Sequence, residues 1–102
     1  MPTRTPTQMT ALGAQAAANQ FLSEHLPDRF TADLAQRAAA GDLWRVPVIL
    51  AYPIIGSVGQ VGEILINSET EQITSHTPVE EMKRRAQTLY ETHHEQIEAA
   101  FS

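Results

Sequence analysis

The sequence contains no cysteine. That removes disulfide scaffolds, zinc ribbons and thiol nucleophiles together, and it fits a reducing, cytoplasmic compartment. Aromatic residues are scarce at 6%, so a core must be built from aliphatic side chains and alanine. Positive charge is also scarce: 7 Lys and Arg stand against 12 Asp and Glu, a net charge of −5. A nucleic-acid binder needs a basic face to displace counterions, so this balance argues against one. Long apolar runs are missing as well. The longest uncharged apolar stretch, residues 46–61, is broken by Pro47, Pro53, Gly56 and Gly59 and cannot be a membrane helix. The Thr/Pro-rich start is not followed by an apolar segment, because Gly13, Gln15 and the Asn19-Gln20 pair interrupt it, so no signal peptide is expected.

What remains is an ordinary globular composition, 42% hydrophobic over 102 residues, enough for one domain with one modest core. Residues 1–7, with three threonines and two prolines, read as a disordered arm, and residues 8–102 as a single domain. From Gln8, Met9, Leu12, Ala16, Leu22 and Leu26 recur at near-helical spacing, with Phe21 widening the stripe and Pro27 ending it. A second helix is expected from Asp28 or Thr31, with Phe30, Leu34, Ala35 and Ala38 on its buried face and Gly41 as its C-cap. The period then changes to two. Residues 44–51 alternate as a strand, apolar on both parities, which Pro47 places at an edge or with its proline side outward. Residues 58–66 form a second strand, 67–70 a turn and 71–75 a short third strand. Thr77-Pro78-Val79-Glu80 spells a capping box. The stripe Val79, Met82, Ala86, Leu89, Tyr90, His93 and Ile97 follows it to the C-terminus. The expected fold class is α+β in the order α-α-β-β-β-α: a helical hairpin, a small antiparallel sheet of two to three strands, and a long C-terminal helix.

Chemistry-bearing residues are few. Gly56, Gly59 and Gly62 recur every three residues, without the spacing of a dinucleotide fingerprint or the lysine of a P-loop. They read as a bulged hairpin with close backbone packing, or alternatively as a ligand-binding loop. Glu91 and His94 form one carboxylate–histidine pair at helical spacing, a fragment of a metal motif that needs further ligands. His76 and His93 lie about 25 Å apart along a helix at 1.5 Å per residue, too far for one metal in a monomer. An antiparallel dimer of the helix would bring them together. Lys83, Arg84 and Arg85 fan around the helix and can pair with Glu80 and Glu81. No serine sits in a nucleophile elbow, and no catalytic constellation or cofactor is expected.

The hairpin Val-Gly-Glu-Ile-Leu-Ile-Asn-Ser-Glu-Thr-Glu-Gln-Ile, residues 61–73, resembles a strand–turn–strand element of PepSY-like and antitoxin-type small bacterial proteins. In that element the strand ends in Gly-Glu/Lys-Ile-x-Val-Asp and the turn continues Thr-Gly-Glu. Here Asn67 replaces the Asp and Glu71 the Gly. The likeness covers 13 of 102 residues and implies hairpin geometry, with no activity and no site residue.

The expected function is a non-enzymatic, homodimeric protein-interaction module, open to a further protein partner. Trp44, Val46, Val48, Ile49, Tyr90, His93 and Ile97 are its candidate interface, because a strand apolar on both sides wants two covers. The alternatives are a small-ligand or metal-binding protein using Gly56–Gly62 or the His93/His94 helix, and an antitoxin-like regulator.

Overall fold

The structure, a computed structural model, describes residues 10–26, 29–38, 42–53 and 55–101. The expected N-terminal arm lies outside them. Seven elements follow one another: α1 (Ala11–His25), β1 (Phe30–Ala32), β2 (Gln36–Arg37), β3 (Leu43–Tyr52), β4 (Gly56–Asn67), β5 (Ile73–His76) and α2 (Val79–Phe101). The strands form one five-stranded antiparallel sheet in the order β1-β3-β4-β5, with β2 beside β3 on the same side as β1. Among the described residues, no helix is long and apolar enough to cross a membrane.

The expected helical hairpin and two- to three-stranded sheet are therefore corrected. Residues 30–37 are two short strands, and the order is one helix, five strands, one helix. The spacing of Phe30, Leu34, Ala35 and Ala38 fits a helix, but a ladder to β3 competes for the same backbone groups and wins. Phe30, Thr31 and Ala32 lie opposite Leu50, Ile49 and Val48, and Gln36 and Arg37 lie opposite Arg45 and Trp44. Leu34, expected to be buried, is 57% exposed in the gap between the two strands.

That gap has a cause in β3. Pro47 has no N–H to give. Its carbonyl accepts from Asp33 N–H at 2.8 Å, so its ladder side faces the interval between β1 and β2. β3 is thus an interior strand with a neighbour on each side, and the proline sits where the outer strand is broken.

α1 closes this edge. Thr10 caps it through Oγ1, which accepts from Gly13 N–H at 3.0 Å. The helix buries only part of the stripe expected from the sequence: Leu22 and Leu26 are buried, but Leu12 is 71% exposed, and Ala14 and Ala18 take the buried positions earlier in the helix. Two amides orient it. Asn19 Oδ1 accepts from Ala32 N–H at 2.8 Å, and Gln15 Nε2 donates to Ala32 O at 3.0 Å. The outer strand's backbone is satisfied by a helix, which protects an edge that would otherwise template association.

Residues directly opposite in the ladders share a face. One face carries Trp44, Val46, Val48, Leu50, Ile64 and Ile66, all buried. Both helices pack on this face, since Ala14, Ala18, Leu22, Met82 and Ala86 belong to the same core cluster.

The three-residue glycine spacing becomes intelligible here. In a regular strand it would put Gly59 and Gly62 on opposite faces. The register runs Val48–Gly62, Ile49–Gln60, Leu50–Gly59 and Ala51–Ser57, so Val61 and Val58 are each one residue extra. One bulge per repeat returns both glycines to the helix-facing side. There α2 lies against them. A Cβ on Gly62 would meet Met82 Cγ and Thr77 Cβ, each at 2.8 Å, and one on Gly59 would meet both Leu89 methyl carbons at 3.0 Å.

The start of α2 differs from the capping box in the sequence. Thr77 Oγ1 accepts from Glu63 N–H at 3.0 Å, and Thr77 N–H donates to Glu63 O at 2.9 Å. The threonine extends the sheet, and Pro78 O receives the first helical bond, from Met82 N–H at 3.0 Å.

Two outcomes follow from these contacts. Gly62→Ala lowers stability by about 1–3 kcal/mol, the usual cost of overpacking, because Thr77 Cβ is held by its ladder and cannot retreat. Gly59→Ala loses less, since flexible Leu89 methyls can move; urea titrations of the two variants give the ranking. Glu71 has φ of 62°, in the left-handed region that favours glycine. Glu71→Gly therefore stabilises the fold by up to about 1 kcal/mol after the larger chain entropy of glycine is set against the strain relieved, read as a raised urea midpoint.

Candidate functional site

The helix-facing side of the sheet is longer than its covering. Where β1 begins and β3 ends, a groove of about 410 Å3 opens between the sheet and α2. Phe30 and Leu50, opposite each other in the ladder, and Ala86 supply its apolar part. Tyr52 and Tyr90 add two phenol rings, and Arg29, Lys83 and Gln87 add polar ends. Helical spacing gathers the α2 contribution: Lys83, Ala86, Gln87 and Tyr90 occupy i, i+3, i+4 and i+7. The Arg29 guanidinium carbon lies 5.1 Å from the centre of the Tyr52 ring, a cation–π distance that aligns the arginine with the groove wall.

Among the described residues the lining contains two cations, an amide and two phenols, and neither a carboxylate nor a histidine. Such a set binds and orients. It offers no side chain whose ordinary pKa lies near neutrality to act as a general base.

The sequence-derived candidates are distributed differently. Gly59 and Gly62 are packed against α2, while Gly56, with φ of 84°, starts β4 at the hairpin turn in open space. Glu91 and His94 are exposed on α2. The Glu91 carboxylate accepts from Gln87 Nε2 at 3.0 Å, and His94 Nδ1 lies 3.1 Å from the Glu91 carbonyl oxygen. No group of three or more metal-ligating side chains comes together among the described residues. His25 and His76 instead flank Phe21, with ring centroids 4.4 Å and 4.6 Å from it. Of the expected interface residues, Trp44, Val46 and Val48 are buried beneath the helices, as is Ile97 on α2. Tyr90 and His93 are half-buried on α2, and Ile49 is half-buried on the opposite face of the sheet.

Lys83, Arg84 and Arg85 do not form a common basic surface. Glu81 holds both arginines, Arg84 through Nη1 and Arg85 through Nε at 2.9 Å, and Glu80 lies 3.9 Å from Lys83 Nζ. Lys83 turns into the groove wall, and Arg85 Nη1 reaches Val61 O at 3.4 Å.

The groove could not be read from the sequence, because its residues come from three separated segments. The signal available was the helical row from Lys83 to Tyr90, which mixes small, polar and aromatic residues where a core stripe would be apolar. Comparison with protein-family models, with curated protein sequences and with solved structures found no match.

The charge cluster gives a pH-dependent outcome. The hydrogen bond from Arg85, then the charges of Arg84 and Arg85, hold the Glu81 carboxyl below its usual range, with partial desolvation opposing them. A carboxyl whose pKa is depressed by folding contributes stability above its unfolded value and loses it as the pH falls through its folded value. Wild type thus exceeds Glu81→Gln in urea midpoint at neutral pH, and the difference closes when both are measured well below the usual carboxylate range.

Proposed function

We propose that the chain is a non-catalytic interaction module that works as a homodimer, two copies packing through the sheet face turned away from the helices. The observation that carries this reading is the composition of that face. Arg45, Pro47, Ile49, Ala51, Glu63 and Leu65 share it by register. Pro47, Ile49, Ala51 and Leu65 are half-buried, and none belongs to the core cluster or packs on it. An antiparallel sheet tolerates one wet face when that face is polar; here its centre is apolar.

The same face carries both signs of charge. Arg45 Nε lies 3.5 Å from Glu63 Oε1, with side chains 47% and 42% exposed. A two-fold dimer presents the same patch on both copies, so a patch holding one cation and one anion beside apolar side chains is complementary to itself. The β1 edge is less suited to association, because α1 already satisfies the backbone of Ala32. A cytoplasmic setting suits the cysteine-free chain, and a second protein binding the same face is compatible with the reading.

Light scattering coupled to size exclusion tests it. The expected mass is twice the 11.2 kDa of one chain, and Ile49→Glu, at a half-buried position outside the core, gives the single-chain mass with an unchanged circular dichroism spectrum. A wild type that stays monomeric at high micromolar concentration overturns the proposal, as does a dimer that Ile49→Glu leaves intact.

A further inference from the structure

On the sheet face turned away from the helices, four residues form a two-by-two block. Arg45 lies opposite Leu65 and Pro47 opposite Glu63 in the β3–β4 ladder. The two ions therefore stand on one diagonal of the block and the two apolar residues on the other. We propose that Arg45 and Glu63 each meet the opposite ion of the second copy across the two-fold axis, and that this exchange selects the chain's own copy as its partner. The assignment rests on the homodimer reading and names the side chains that make that dimer selective.

Symmetry picks the pairing. Two sheets packed face to face by a two-fold have its axis in the plane between them. Residues two apart on a strand are about 6.6 Å from each other and neighbouring strands about 4.8 Å, so the block is not far from square and its diagonals cross steeply. An axis along the Pro47–Leu65 diagonal sets Pro47 and Leu65 over their own copies. It carries Arg45 over the partner's Glu63, and Glu63 over the partner's Arg45. An axis along the other diagonal stacks each ion on its own copy, which like-charge repulsion disfavours.

Both ions can hold the added partner without giving up the first. Arg45 Nε stands 3.5 Å from Glu63 Oε1 of the same chain. A guanidinium has five N–H donors and a carboxylate about four acceptor positions, so each keeps its contact and makes a second. The four charges of the dimer then alternate in sign around a closed ring. Every charge stays paired as the face is covered, the condition under which burying ions is tolerated. The neighbouring positions that register places on this face, Ile49, Ala51, Ser57, Gln60 and Ser75, are uncharged and do not compete for either ion. A partner of another kind has to supply an acid and a base at the same diagonal spacing; a second copy supplies them by symmetry.

Charge exchange tests the assignment. Arg45→Glu and Glu63→Arg are made singly and also together in one full-length chain. Both side chains are more than 40% exposed, so the fold tolerates the changes, and circular dichroism checks that it does. Each single variant puts four like charges at the interface and weakens self-association at least about tenfold by light scattering. An equimolar mixture of the two single variants recovers the dimer. The doubly exchanged chain dimerises with itself as wild type does. It forms no mixed dimers with isotope-labelled wild type in native mass spectrometry, because like charges then face each other. If the ion pair acts only within each chain, the doubly exchanged chain and wild type mix statistically. That outcome, single variants that dimerise undiminished, or a mixture that fails to recover the dimer each overturns the assignment while a dimeric wild type leaves the homodimer reading standing. A monomeric wild type overturns both.

Discussion

The close approach of α2 to β4 is the constraint on which the rest depends. At Gly62 the helix stands where a Cβ would be, 2.8 Å from Met82 Cγ and Thr77 Cβ. Interiors pack as densely as organic crystals, so contact at this distance fixes the separation of the two elements. The bulges at Val58 and Val61 then decide which residues face the helix. With them, both Gly59 and Gly62 do; without them, one glycine would be replaced at the interface by a larger side chain. Thr77 completes the arrangement. Its backbone and hydroxyl both bond Glu63, so the chain enters the helix directly from the ladder, and the helix axis inherits the sheet's direction.

A second constraint acts at the other edge. Pro47 removes one donor from the middle of β3, and the strand pairing with it breaks into β1 and β2 at that point. A broken outer strand is a poor template for another chain, and α1 takes up the remaining backbone groups of Ala32 through Asn19 and Gln15. The alanine face of α1 belongs to the same device. Ala14 and Ala18 are fully buried, and their small side chains let the helix come near enough for two short amides to reach the strand.

This also explains what was legible in the sequence and what was not. The long C-terminal helix, the β3–β4 hairpin and its following turn were readable, because period, proline and glycine act locally there. The stretch 30–37 was not. Its apolar spacing fits a helix as well as a strand, and the ladder that decides the matter is formed with β3, a separate element, as far off as Leu50 for Phe30. The buried face of α1 was legible at Leu22 and Leu26 but misplaced at its first turns for a related reason: Leu12 carries more apolar surface than Ala14, but the amides of Gln15 and Asn19 bond Ala32 and turn the Ala14–Ala18 side inward. Thr77 spelled a cap and serves the sheet. Each miss is a local preference overridden by a partner distant in sequence. The groove shares that character, since Arg29, Tyr52 and Lys83 become neighbours only after the sheet has closed.

The two faces of the sheet divide the chemistry between them. The helix-covered face is filled with aliphatic residues as far as Leu50, and it opens only where α2 and the end of β3 leave space lined by tyrosine, arginine and lysine. The other face carries Pro47, Ile49 and Leu65 around the Arg45–Glu63 ion pair. Val48 and Ile49 are adjacent in one strand and point to opposite faces, so the same ten residues of β3 wall both surfaces.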